Sequence, residues 1–334
     1  MRKLVWLGGA LAVLVTAWWG GVVALLHYEL ADWFQARRAE GWQADYASIS
    51  SAGFPARFDT RISGLELADP ASGLAWSLPV FRFTAPSILP TRITAIWPDQ
   101  QVVATPFERI TVQAKDMRAA VHFNRIFSLG LARISADLTD VALSSTRGWQ
   151  SSLERGHLVM QALPDAAPNT YRLHFEASGV VPASDFLRNF EHVAFMADRI
   201  EGAELDAKIT FDAPWDRYAI ERARPQITHI ELERLNARWG EVELSLAGAL
   251  DVNDAGIPEG QVSVKARNWR EMVALARKLG ALPEEAEPDT LRALAFLASL
   301  SGDTDTLDTP LTFRNGYIAF GPLPLGKAPN LTIR

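Results

Sequence analysis

Residues 241–252 read Glu-Val-Glu-Leu-Ser-Leu-Ala-Gly-Ala-Leu-Asp-Val. Val242, Leu244, Leu246, Leu250 and Val252 share one parity, and Glu241, Glu243, Ser245 and Asp251 the other. A period of two is what a strand with one buried face requires. The same alternation recurs from Arg109 to Lys115, Ala132 to Thr139, Thr170 to Ala177 and Glu204 to Phe211, and Val262 and Val264 continue it. Strands of a doubly wound parallel sheet are buried on both faces and read as unbroken apolar runs between helices, so that class is excluded. The pattern predicts a mainly β fold, a long curved antiparallel sheet forming a groove, half-barrel or sandwich. The alternation slips phase at Gly64, between Ile62 and Leu65, and at Asp140, between Leu138 and Val141. A bulge or bend at each place would curl the sheet.

Turn and helix signals fit around these strands. Asn315-Gly316 suits a two-residue type I′ hairpin, pairing Phe313 with Ile318 and Leu311 with Phe320. Asp254 to Pro258 makes a looser turn. Asn268-x-x-Glu271 reads as a capping box opening a helix that Gly280 ends, and a second helix is predicted from Asp289 to Leu300. Together they form an inserted helical hairpin, expected to plug an open sheet edge rather than move as a lid. A shorter helix is expected from Asp185 to Asn189.

Leu4 to Leu26 is a run of 23 residues without a charge. As a helix it rises about 34 Å at ~1.5 Å per residue, enough to cross roughly 30 Å of hydrocarbon. A cleaved signal peptide has an apolar core of about 7–15 residues and a small-x-small cleavage site. His27-Tyr28-Glu29-Leu30 offers no such site, so the run is expected to stay as an anchor. Arg2 and Lys3 precede the run and Glu29 and Asp32 follow it, which by the positive-inside rule leaves the N-terminus in the cytoplasm. The expected organisation is an anchor at 1–28, a helical juxtamembrane segment at 29–52 broken near Gly41, and a β-rich periplasmic domain at 53–334 whose two halves meet near 180–200. This describes a single-pass membrane protein with the bulk of its chain on the far side.

Composition closes several classes. With 48% hydrophobic and 22% charged residues, a packed fold rather than disorder is expected. The absence of Cys removes disulfides, thiolate nucleophiles, Cys-ligated zinc and iron–sulfur clusters. A net charge of −6 argues against nucleic acid as a partner, because displacing counterions from phosphates needs a basic field.

Three blocks carry a resemblance: Gly53-Phe54-Pro55-Ala56-Arg57-Phe58-Asp59 after Gly41-Trp42; Ala95-Ile96-Trp97-Pro98 leading to Thr105-Pro106; and Asn315-Gly316-Tyr317-Ile318 leading to Gly321–Gly326 and Ala328-Pro329. Over nearly the whole chain the sequence resembles the proteobacterial domain of unknown function 2125 family, which implies a membrane-anchored periplasmic protein and no assigned reaction. Gly248–Asp251 with Gly256–Gly260 is also similar to the β-rich envelope proteins of the AsmA type, which implies an elongated sheet with a lipid-carrying groove.

No G-x-S-x-G, H-E-x-x-H, G-x-x-x-x-G-K-[ST] or G-x-G-x-x-G pattern occurs. The six histidines never fall within five residues of one another, so no local metal pair forms, and His174 reads as a solvated residue on a polar face. Asp303, Asp305 and Asp308 lack the Gly and terminal Glu of a calcium loop and read as a solvated turn. No catalytic residue, metal ligand or cofactor is assigned, and a non-enzyme is expected. Arg57, between Phe54 and Phe58, would grip an anionic headgroup or pair with Asp59 or Glu66. The leading expectation is a β-groove that binds or conducts lipid or another hydrophobic ligand, with Phe54, Arg57, Val242, Leu244 and Leu246 as its candidate lining. The alternative is an envelope scaffold or assembly factor with a protein partner, and a hydrolase ranks last for want of a motif.

Overall fold

A computed structural model describes residues 2–124, 129–184, 197–278, 284 and 287–333. The first strands are β1 (Gln43–Asp45), β2 (Ser48–Ala52), β3 (Arg57–Asp69), β4 (Leu74–Pro86), β5 (Arg92–Ile96) and β6 (Gln100–Ala104). The central ones are β7 (Arg109–Phe123), β8 (Leu131–Ser145), β9 (Gln150–Ala162), β10 (Thr170–Val180), β11 (Ile200–Phe211) and β12 (Ile227–Trp239). The last are β13 (Val242–Val252), β14 (Pro258–Arg267), β15 (Thr306–Arg314), β16 (Tyr317–Phe320) and β17 (Leu323–Lys327). The helices are α1 (Arg2–Ala39), α2 (Arg217–Glu221), α3 (Trp269–Lys278) and α4 (Glu287–Ser301).

All these strands join one antiparallel sheet, and from β7 to β17 each pairs with the next in sequence. At the other end β1 and β2 lie end to end along β3, while β5 and β6 share the place between β4 and β7. β13 keeps the expected alternation of half-buried and exposed residues along its length. The terminal hairpin has the expected register, Phe313 opposite Ile318 and Leu311 opposite Phe320, with Asn315 and Gly316 at φ 52° and 76° as a type I′ turn demands.

The two phase slips belong to one crease. Gly64 and Asp140 have φ 58° and 50°, in the left-handed region open to Gly and tolerated by Asp. The register is the same on both sides: Ser63 faces Val80 and Leu65 faces Leu78, while Ala114 faces Val141 and Asp116 faces Thr139. No residue is inserted, as a bulge would require, because the neighbouring strands slip at the same level. The line runs from Gly64 and Pro79 through Lys115, Asp140, Glu154 and Gly179, opposed positions that the ladders skip. Inner-face residues across it are three apart, Ile62 and Leu65, Ala114 and Met117, Leu138 and Val141, so one face stays apolar through the bend.

That face is covered in three places. The second half of α1 lies on β1–β4, where Phe34 packs with Ala44, Ile62, Leu65 and Leu78. The α3–α4 hairpin sets Trp269, Val273, Leu294 and Ala298 on Ala266 and Leu307. Between them, Leu131, Tyr171 and Phe211 pack with Trp215, Ile227 and Ile333 at one end of the strands. The C-terminal segment is held there by Ile333 N–H donating to Gln226 Oε1 at 2.8 Å.

Several expectations are corrected. Helix α1 stops at Ala39, and residues from Gln43 to Ala52 form β1 and β2 rather than a helix, because Gly41 at φ 90° breaks the helix and β3 supplies a pairing edge. On either side of 180–200, β10 and β11 pair from Thr170–Thr210 to Val180–Ile200, so the sheet is continuous there. Asn268 makes no capping box: at φ 54° its side-chain amide donates to the Glu241 carbonyl. The helical hairpin covers the apolar face of β14 and β15, not an edge. The expected helix at 185–189 and the stop at Gly280 lie outside the described residues.

Candidate functional site

Between its covers the apolar face carries aligned rows. Ala136, Leu158, Phe175, Leu205, Leu235 and Leu246 stand directly opposite one another on β8 to β13. The row continues to Phe83 on β4, beside the α1 cluster, and to Val264 on β14, next to the hairpin's footing. With ten strands at ~4.8 Å spacing, it is about 43 Å long. Its residues on β8 to β13 are half-buried, whereas Val262, Val264 and Ala266 on β14 are buried. A second row starts at Ile93 on β5 and runs through Val121, Ile134, Met160 and Leu173.

In the row beside the crease, Leu138, Gly156, Ala177, Ala203, Ala237 and Leu244 are opposed in turn, with four small residues between two leucines. Gly and Ala side chains leave the backbone accessible from above, so a shallow channel follows from composition. A cavity of 710 Å³ spans the same strands, but its walls are the polar rows on either side of this one, among them Asp137, His157, Glu176 and Glu243, whose side chains stand on the opposite face.

The opposite face is a lattice of ion pairs. Asp206, buried on β11, accepts from Arg172 Nε at 2.9 Å and lies 3.2 Å from His174 Nδ1. Burial pushes its carboxyl up, but the Arg172 and His174 hydrogen bonds outweigh this and hold it below the usual range. His174 also meets Glu176 at 3.2 Å, so it is paired between two carboxylates and not merely solvated. On β3, Asp59 is buried under Arg82, whose Nε donates at 2.7 Å, while Arg61 and Arg57 stand 3.9 and 4.0 Å away. The hydrogen bond from Arg82 lowers its carboxyl well below the ordinary value. These groups neutralise one another, and no group of metal-binding residues occurs among the described residues. Asp303 accepts from Asp305 N–H and Thr306 Oγ1, a self-satisfied turn.

A family model described as "Uncharacterized protein conserved in bacteria (DUF2125)" matches residues 19–329. The chain belongs to the DUF2125 family. No curated protein and no solved structure matches it. The DUF2125 match opens at Trp19, where α1 meets the sheet: Trp19 stacks on Phe58 with ring centroids 6.0 Å apart, and its Nε1 donates to the Arg57 carbonyl at 3.0 Å. α1 is also long and apolar enough to cross a membrane.

In this DUF2125 protein the five sequence-nominated residues do not form one site. Val242, Leu244 and Leu246 share the inner face of β13, but Leu244 packs against the hairpin cluster while Leu246 lies in the half-buried row. Phe54 and Arg57 sit at the β2–β3 turn, with β4 to β12 in between. Phe54 is 51% exposed against Trp19, and Arg57 is 60% exposed at the rim of the Asp59 cluster. Glu66 faces Ser77 beyond the crease, away from Arg57. Two features escaped the sequence reading. The Gly/Ala row has no local signature, since its members come from different strands. The exposed Ile88-Leu89 pair does have one: two large apolar residues in a turn between Pro86 and Pro90.

Proposed function

We propose that this DUF2125 protein is anchored by α1 in a bacterial inner membrane, with the sheet in the periplasm, and binds or conducts lipid or another hydrophobic ligand along its apolar rows. The observation that carries this reading is the half-buried stretch between Ala136 and Leu246, flanked by covered apolar face at β1–β4 and β14–β15. Acyl chains placed there leave water at about 0.8 kcal/mol per CH₂. The residues named in the apolar rows carry only hydrocarbon or thioether side chains, which suit the binding of an apolar ligand. The test is a photoreactive amino acid at Leu205 in the full-length chain, in its native membrane, with Glu204 as the control on the other face. Lipid adducts at 205 and not at 204, read by mass spectrometry, are expected; equal or absent adducts at both would sink the proposal.

A second reading, an envelope scaffold, draws on β17. Among the described residues it pairs only with β16, and Leu325 is 61% exposed, leaving an edge that a partner's strand can extend.

A further inference from the structure

We propose that the turns joining β2 to β3 and β4 to β5 are inserted in the bilayer beside α1, as an apolar foot of the sheet. Helix and strand run side by side: Trp19 meets Phe58, and Phe34 meets Leu65. The two pairs are separated by about 22 Å along the helix and about 24 Å along the strand, at ~1.5 and ~3.4 Å per residue. The strands at this edge therefore stand along the axis of the spanning helix, and one set of turns points back toward the N-terminus of α1. Two indoles lock that end in place, Trp18 Nε1 donating to the Ser87 carbonyl at 3.2 Å and Trp19 Nε1 to that of Arg57.

The depth follows from length. Between the charges at Arg2 and Lys3 and the first contact with the sheet lie the 14 residues Leu4–Ala17. They rise about 21 Å at ~1.5 Å per residue, some 9 Å short of a roughly 30 Å hydrocarbon core. The rest of the core is crossed where the sheet already lies against the helix, so its foot is within the leaflet opposite Arg2 and Lys3. The foot has the surface this requires: Ile88 is 80% and Leu89 63% exposed, and Phe54 is exposed beside them. Leu89 is also held at φ 58°, a conformation unfavourable for a Leu, with its side chain outward. Arg57, whose carbonyl accepts from Trp19, lies by the same count about 8 Å below the headgroups, within the reach of a guanidinium that snorkels to a phosphate. Ile93, at the start of the second apolar row, is 39% exposed just above the foot, so that row begins at lipid level.

The inference rests on α1 spanning the membrane but not on the rows carrying lipid. It is tested on the full chain, whose lack of Cys allows single labels. Ile88→Cys, Leu89→Cys, Phe107→Cys at the far end of the strands and Leu11→Cys in α1 are each labelled with bimane and reconstituted in phosphatidylcholine–phosphatidylglycerol vesicles. Positions 88, 89 and 11 should be quenched by doxyl-labelled lipid and shielded from an aqueous quencher, and 107 the reverse. Label 11 in lipid with 88 and 89 in water would overturn the foot alone. Label 11 in water would overturn the anchor and the foot together.

Discussion

Two leucines one rung apart on β13 separate an open apolar row from a closed core. Leu244 stands opposite Ala237 and Ala266 and packs against the cluster that holds Trp269 and Leu294. An Asp there loses the leucine's packing, about 2–5 kcal/mol for truncation alone. Leu244 is half-buried, so the new carboxylate is partly desolvated against the hairpin, costing about 1–3 kcal/mol more. The sum rivals the roughly 5–15 kcal/mol that holds a whole domain together. Leu246, two residues on, is half-buried between Leu235 and Val264. If water or an exchangeable ligand lies above it, Leu246→Asp gives up only part of a leucine's ~1.5–3 kcal/mol of burial and keeps its charge hydrated. Leu244→Asp is therefore expected to unfold the C-terminal part of the sheet, and Leu246→Asp to melt within a few degrees of the parent while losing bound lipid. Thermal melts by circular dichroism, with extraction and mass spectrometry of co-purified lipid, read both. Collapse of both variants would show that the row is a closed core, and a folded Leu246→Asp with unchanged lipid would refute binding on this face.

Ala203→Phe fills the small-residue channel: over an open row it should lower lipid content at unchanged stability, whereas a loss of about 1–3 kcal/mol in a denaturant melt would mark an overpacked interior. Trp269→Ala, at 1% exposure beneath the hairpin, should cost about 3–5 kcal/mol in the same assay, and a near-neutral result would remove the hairpin from the core. The lowered carboxyl of Asp59 adds stability that is fully present above an unfolded pKa near ~3.9 and lost as pH falls through its lower folded value. Arg82→Met raises the folded value, so the acid-unfolding midpoint should move to higher pH in a titration followed by circular dichroism; an unmoved midpoint would show that the pair is not linked to folding. Gly316→Val forces a β-branched residue into φ 76°, and proton exchange of the β15–β16 amides should accelerate while that of β7–β9 stays unchanged.

The sequence by itself determined what is local. Period-two alternation marks strands because adjacent side chains leave the backbone on opposite sides, and Asn315-Gly316 set a register because its turn geometry permits one pairing. A charge-free run long enough to span a membrane needs no neighbours to be recognised. What only the tertiary structure decided is what lies opposite what. Gly64 and Asp140 read as separate slips along the chain, yet they lie on one crease because the strands between them slip at the same level. Gly156, Ala177, Ala203 and Ala237 are unremarkable apart and become a shallow channel once three registers bring them side by side. Phe54 and Leu246, both nominated from local chemistry, are parted by the strands from β4 to β12, while Trp19 and Phe58 are brought into contact. Asn268 has the residue type and spacing of a helix cap, but its φ of 54° is not the extended conformation of a cap, and its amide donates to the Glu241 carbonyl. A half-buried apolar face gives the same pattern whether a second layer, a helix or a ligand covers it, so the cover on each part of this sheet depends on where α1, the hairpin and the C-terminal segment come to rest.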